Sequence, residues 1–257
     1  MHAWQSRWEQ LYWTAMKNRS SSHELAPLQL ELRAAMASQG CPLCRLATKA
    51  ERTFIDSLNY ERVLDLRTRD ALKGSRGLCG HHSRVWQHVQ GSALGVAIVY
   101  RISVLDLLRD TEPSKVQPGP LSWRRGRHGR PSAAASRLEA GASCPACTIG
   151  EDAAARFGGR LLGDIRDAEA RTLLVVCGGL CLPHLRQVLT LKGAERAHEL
   201  LMRTQRQAWA QLMGELEEFV RKNDYRFADE SMTPEEATSW MRAIDALVGL
   251  EDPPDRG

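Results

Sequence analysis

Cys41-Pro42-Leu43-Cys44 is followed downstream by Gly77-Leu78-Cys79-Gly80-His81-His82, and the chain then repeats both phrases. The second copies read Cys144-Pro145-Ala146-Cys147 and Gly179-Leu180-Cys181-Leu182-Pro183-His184. The register holds between these anchors. At an offset of 103, Cys41, Pro42, Cys44, Phe54 and Leu58 meet Cys144, Pro145, Cys147, Phe157 and Leu161. At an offset of 102, Arg69, Leu72, Gly77, Leu78, Cys79, His82 and Arg84 meet Arg171, Leu174, Gly179, Leu180, Cys181, His184 and Arg186. One deletion in the spacer accounts for the change. The chain is an internal duplication, and its period governs the reading of everything else. It also selects His82, rather than His81, as the counterpart of His184.

Three cysteines and a histidine per copy make the donor set of a closed, tetrahedral Cys3His zinc site. Thiolate and imidazole are borderline-soft donors suited to Zn²⁺, and four protein ligands leave no position open for substrate. In C-x-x-C a tight knuckle turns two sulfurs toward one ion. In C-x-x-H the two side chains, three apart on a first helical turn, share a face. A helix N-terminus also favours thiolate over thiol. The expected ligands are Cys41, Cys44, Cys79 and His82, then Cys144, Cys147, Cys181 and His184, with two zinc ions per chain. Whether each copy closes its own site or the copies exchange donors is left open by the repeat, and one site per copy is the expectation carried forward. An iron–sulfur cluster with one histidine ligand and a dithiol redox pair are the alternatives. Stapling disulfides rank last, since a chain this long does not need them and no secretion signal precedes it. Neither C-x-x-C is followed directly by histidine, which excludes c-type haem attachment. The seventh cysteine, Cys177, aligns with Ser75 and reads as a buried, inert thiol. His88 and His198 read as ordinary helix residues.

The segments between the anchors read as helix, and the fold class is all-α: two tandem helical repeats, each with a metal site, plus N-terminal and C-terminal helices. Residues 1–40 form an N-terminal extension in which Trp4, Trp8, Leu11, Tyr12, Ala15 and Met16 make one apolar stripe. The first repeat spans 41–110 and the second 144–222. Leu94 to Leu108 is apolar nearly all round, as a central buried helix would be. Trp209, Leu212, Leu216, Phe219 and Val220 mark an amphipathic helix in the equivalent place. The run Leu173 to Val176 is the single strand-like stretch, and the repeat aligns it with helix near Leu72. In the tail, 223–257, Thr233-Pro234-Glu235-Glu236 is a helix start. Trp240, Ile244, Leu247 and Val248 are the stripe expected to dock.

Residues 111–143 form a linker with four of the eleven prolines. Its six basic and two acidic residues account for the whole net charge of +4. A globally basic nucleic-acid binder is therefore excluded. Nucleic acid could be met only through Arg124-Arg125-Gly126-Arg127-His128-Gly129-Arg130 beside Trp123, and a solvated linker is the simpler account. No uncharged apolar run reaches bilayer length, because Leu94 to Leu108 carries Arg101 and Asp106. The start of the chain lacks the basic-then-apolar pattern of a secretory signal, so a cytoplasmic location is expected.

The duplicated C-P-x-C…G-L-C-x-x-H plan and the phrase Glu218-Phe219-Val220-Arg221-Lys222-Asn223-Asp224-Tyr225-Arg226-Phe227 together resemble a family of uncharacterised bacterial proteins known only as a domain of unknown function. The resemblance covers Cys41 to Leu250. It implies a bacterial, duplicated helical protein and supplies no substrate. No nucleophile elbow, phosphate-binding glycine loop, H-E-x-x-H helix or dinucleotide fingerprint is present. The sequence therefore leans away from an enzyme and toward a zinc-stabilised interaction or adaptor protein whose partner is another macromolecule, in the first place a protein. The alternative is a redox or metal-sensing protein built on the same cysteines. The cluster Asp224, Tyr225, Arg226, Asp229 and Glu230 reads as a helix junction rather than a site.

Overall fold

A computed structural model describes residues 27–59, 65–112, 138–227 and 229–250. Among them there is no strand, and the chain is all-α. After helix α1 (27–36) come α2 (Pro42–Ser57), α3 (Leu66–Gly74), α4 (Gly80–His88) and α5 (Ala93–Asp110). The second copy supplies α6 (Pro145–Asp164), α7 (Ala168–Val176), α8 (Leu182–Thr190) and α9 (Glu195–Lys222). A 3-10 turn (Tyr225–Phe227) then leads to α10 (Pro234–Val248). The strand-like Leu173 to Val176 is the last part of α7, as the repeat implied. The stripe from Trp4 to Met16 and the arginines of 124–130 lie outside the described residues.

The caps are legible as chemistry. Pro42 and Pro145 occupy the first helical positions of α2 and α6, where a missing N–H is harmless. Asp65 and Asp167 cap α3 and α7 by accepting from Thr68 N and Glu169 N. At the other ends of α3 and α7 the two copies close in the same way. Gly77 N bonds Leu72 O at 2.7 Å while Arg76 N bonds Lys73 O, and Gly179 N bonds Leu174 O at 2.8 Å while Gly178 N bonds Val175 O. These are paired C-terminal closures of the Schellman type, which need left-handed backbone. The left-handed residues of the two closures are Arg76 and Gly178, with φ of 57° and 93°, and the glycines after them, Gly77 and Gly179, are also positive, at 98° and 81°, which explains the glycine in each G-L-C phrase.

Two compact units result, and they cut across the sequence repeats. The first joins the described residues up to Thr48 to those from Asp152 onward; the second runs from Lys49 to Glu151. Helix α2 thus gives its N-terminal turns to the first unit and the rest to the second, while α6 does the reverse. The core of the first unit contains Leu32, Leu43, Phe157, Leu161, Ile165, Leu174, Leu180, Leu185 and Leu201. That of the second contains Phe54, Ile55, Leu58, Leu72, Leu78, Trp86 and Val99. Burying each large side chain of this kind contributes about 1.5–3 kcal/mol.

Two expectations fail, for one reason. Helix α5 forms, yet it is not a central buried helix: Leu94 and Leu108 are 72% and 62% exposed, and only Val99 and Ser103 are buried. On α10 the stripe expected to dock faces outward, with Trp240 48% exposed and Leu247 61% exposed. The face that packs carries Ser239, which is fully buried, and Arg242, which reaches Glu215 of α9 at 2.5 Å. Apolar periodicity marks a face that would gain from cover; it does not say that cover is present. Small side chains and an ion pair can seat a helix as well as large apolar ones.

Candidate metal centres

Each of the four cysteine phrases opens a helix. Cys41 and Cys144 stand immediately before Pro42 and Pro145. Cys79 and Cys181 are the N-caps of α4 and α8, in extended backbone. Ser, Thr, Asp or Asn would be the usual choice at such a position. Cysteine there presents a sulfur at the positive end of a helix instead. The residue three further on, Cys44, Cys147, His82 or His184, lies one turn inward on the same face.

All eight donors come together in two groups, and among the described residues these are the two assemblies of His, Cys, Asp or Glu that could hold a metal ion. The pairing is crossed between copies. Cys41 and Cys44 meet Cys181 and His184 in the first unit, and Cys79 and His82 meet Cys144 and Cys147 in the second. The expectation of one self-contained site per sequence repeat is corrected here. Helix length is the physical reason. The fourteen residues from Cys44 to Ser57 rise about 20 Å as α-helix, so α2 carries the chain well away from its own knuckle before the turn that leads to Cys79.

The spacing of donors is that of one small ion. In the first group Cys44 Sγ lies 3.6 Å from Cys181 Sγ, and His184 Nδ1 lies 3.2 Å from each of these sulfurs and 3.6 Å from Cys41 Sγ. In the second, Cys79 Sγ lies 3.7 Å from Cys147 Sγ, and His82 Nδ1 lies 3.3, 3.7 and 3.4 Å from Cys79, Cys144 and Cys147. A tetrahedron with metal–sulfur bonds of 2.3 Å and metal–nitrogen bonds near 2.0 Å has edges of roughly 3.8 and 3.5 Å. Disulfides require about 2.05 Å, and all seven cysteines are free thiols.

The surroundings differ between the groups. Cys41, Cys44 and Cys181 are buried, whereas Cys79, Cys144 and Cys147 are half-buried. Electrostatically, each group wants a cation. In the first, burial works against a charged His184, but hydrogen bonds and charge from Cys181 and Cys41 outweigh it and lift the imidazole to about 10. The Cys44 thiol is pushed up, first by Cys181 and then by Cys41, since three adjacent sulfurs cannot all ionise unaided. In the second, burial raises the Cys79 thiol, yet the backbone N–H of His82, helped by Cys147, Cys144 and the N–H of His81, brings it below its ordinary value. Burial and the neighbouring thiolates push Cys147 up to about 12.

Several supports were invisible in the sequence. Gln205 of α9 grips Leu180 with both ends of its amide: Leu180 N donates to Gln205 Oε1 at 2.8 Å, and Gln205 Nε2 donates to Leu180 O at 3.1 Å. This pins the turn that delivers Cys181. Tyr100 of α5 does the same for the other copy, accepting from Leu78 N at 3.3 Å. The long helix after each G-L-C turn therefore serves it with a different side chain, and the repeat alignment alone gave no hint of this. The N–H of Leu250 donates to Cys44 Sγ at 3.4 Å, so the residues just after α10 lie against the first group. Arg45 secures the approach to Cys41 through Ala35 O and Gly40 O.

Residues outside the two groups behave as ordinary structure. Cys177 is 1% exposed, caps α7 and donates to Leu174 O at 3.3 Å. Burial pushes its thiol up to about 11. His88 bonds Arg84 O within its own helix. The polar cluster joins α9 to α10: Asp224 pairs with Arg226, and Glu230 with Arg221. Beside the first group lies a cavity of about 150 Å³ bordered by Cys41, Cys177, Cys181, Glu215, Arg242 and Asp245.

Residues 28–252 match the family of unknown function DUF6062. The chain belongs to that family. The DUF6062 match begins upstream of the first cysteine and takes in α1. An uncharacterised 23.9 kDa protein from the xynA 3′ region of Caldicellulosiruptor sp. (strain Rt8B.4) is 25% identical over 214 residues, covering 82% of this chain and 96% of that protein. No solved structure matches the chain.

Proposed function

We propose that this protein is a zinc-stabilised helical interaction protein with two structural Cys3His sites, one in each compact unit. The observation that carries this reading is the tetrahedral spacing of the two donor groups. A cluster would hold its four donors on different irons and so hold them further apart, whereas here they crowd around one point. Zinc fits because it accepts thiolate and imidazole in a tetrahedron without geometric preference of its own. Four protein donors close each sphere, so the metal organises rather than reacts.

The apolar rows on α5 and α10 favour a protein as partner. Leu94, Val104, Leu105 and Leu108 are exposed on one unit, and Trp240, Ile244, Leu247 and Val248 on the other. Clustered exposed apolar side chains mark docking surfaces more often than scattered ones do. No helix among the described residues is long and apolar enough to cross a membrane. A reducing compartment such as the cytoplasm would keep the thiolates available.

The test is elemental analysis with a visible spectrum, on protein purified without oxygen or an affinity metal. Two zinc per chain and a colourless solution are expected, and a strong chelator should melt helical circular dichroism, since metal binding is coupled to folding. Metal-free protein of full helicity would defeat the proposal. The half-buried sulfurs of the second group favour one other reading, a redox- or metal-sensing role. Iron with sulfide and a brown solution would turn the assignment that way.

A further inference from the structure

His82 turns Nδ1 toward three sulfurs, which leaves Nε2 pointing away from them. That nitrogen is buried and finds no well-formed hydrogen bond. Glu51 Oε2, on α2, lies 3.4 Å from it. The carboxylate can occupy this place because α6 has glycine opposite. A Cβ built at Gly150 would stand 2.7 Å from Glu51 Cδ and closer still to Oε1. Gly150 lies one turn beyond Cys147, on the face that carries the sulfur. Any side chain there would push Glu51 off the imidazole.

The duplication supplies an internal comparison. At the offset of 103, Glu51 corresponds to Ala154 and Gly150 to Ala47, both buried in the first unit. Where the glutamate is missing, the glycine is missing too. The pair Glu51–Gly150 therefore belongs to one site and has no counterpart at the other.

We infer that Glu51 is a positioning residue for the second metal site, holding His82 through its Nε2–H, and that Gly150 exists to admit it. This rests on the metal reading above. A carboxylate accepting from Nε2–H fixes the imidazole in the tautomer whose Nδ1 lone pair faces the sulfurs, and makes that nitrogen a better donor. A cation on Nδ1 polarises the opposite N–H and strengthens the bond to the carboxylate, so the contact shortens on loading. The first site has alanine at both equivalent positions, Ala154 and Ala47, so this device distinguishes the second site from the first.

The test is competition between the full chain and a chromophoric chelator for Zn²⁺, read site by site, with ¹⁵N imidazole spectra of His82. Loss of an outer-shell carboxylate typically lowers metal affinity by about 10–100-fold. Glu51→Ala should do this at one site of two, with loss of the slowly exchanging Nε2–H signal. Gly150→Ala should follow it by displacing the carboxylate, and Glu51→Gln, which keeps an acceptor, should recover part of the loss. Wild-type affinity at both sites and an unchanged His82 spectrum in Glu51→Ala and Gly150→Ala would overturn the inference while leaving the metal reading intact. A wild-type chain that takes up no Zn²⁺ would overturn both.

Discussion

Cys177 and Cys181 sit four residues apart, and burial treats them alike, yet only one belongs to a donor group. Cys177 ends α7 with its sulfur bonded to a carbonyl of its own helix, and burial pushes its thiol up to about 11. A thiol so placed stays protonated at neutral pH and is poor as both nucleophile and ligand. Cys177→Ser should therefore keep both equivalents of zinc by elemental analysis, whereas Cys181→Ser should lose one. Equal losses in the two variants would show that Cys177 takes part in the first site. The distinction was partly readable beforehand, because the repeat pairs Cys177 with Ser75, and both turn out to be the C-caps of equivalent helices.

At the scale of elements, α10 is held by polar contacts more than by its apolar stripe. Thr233 and Glu236 form a reciprocal capping box, and the same Glu236 carboxylate pairs with Lys222 of α9 at 2.7 Å. The Lys222 ammonium and the Thr233 backbone N–H hold that carboxylate below its ordinary range. A depressed folded-state value means the stabilisation is present above the unfolded value, about 4.3 for glutamate. It is lost as pH falls through the lower folded value. Glu236→Gln should accelerate amide hydrogen exchange along α10 at pH 7, and the gap from wild type should narrow in acid as the native carboxyl protonates. Identical exchange at neutral pH would mean that the pair contributes nothing to docking. The cap was visible in Thr233-Pro234-Glu235-Glu236, but the partner Lys222 was not, since only the packing of α10 on α9 brings it near.

For the molecule as a whole, the crossed pairing makes a prediction that no single substitution can. Cys41→Ser with Cys181→Ser disables one site twice, so one zinc should remain per chain. Cys41→Ser with Cys79→Ser disables both, and none should remain. Self-contained repeats would give the opposite result, with no metal in the first double variant and one equivalent in the second. The crossing also ties distant parts of the chain together. Each unit draws donors from both copies of the duplication, and α2 and α6 each give turns to both units. Neither half contains all four members of either crossed group, so a chain cut in the linker should hold zinc as the intact chain does only when both pieces are present.

The sequence by itself determined the local facts: the helices, their caps, the glycines that close α3 and α7, and the identity of the eight donors. Each of these is written in residue type and short-range spacing, which the backbone reads over a turn or two. Which of the eight come together was decided only by the tertiary structure. The spacing is the same whether a knuckle folds back on its own copy or reaches the other, and the outcome turns on how far α2 and α6 carry the chain. The outward row of α10 and the exposure of α5 were likewise undecided, because hydrophobic periodicity names a face and packing chooses whether to cover it. Glu51, Gly150, Gln205 and Tyr100 gain their roles from neighbours far away in the chain.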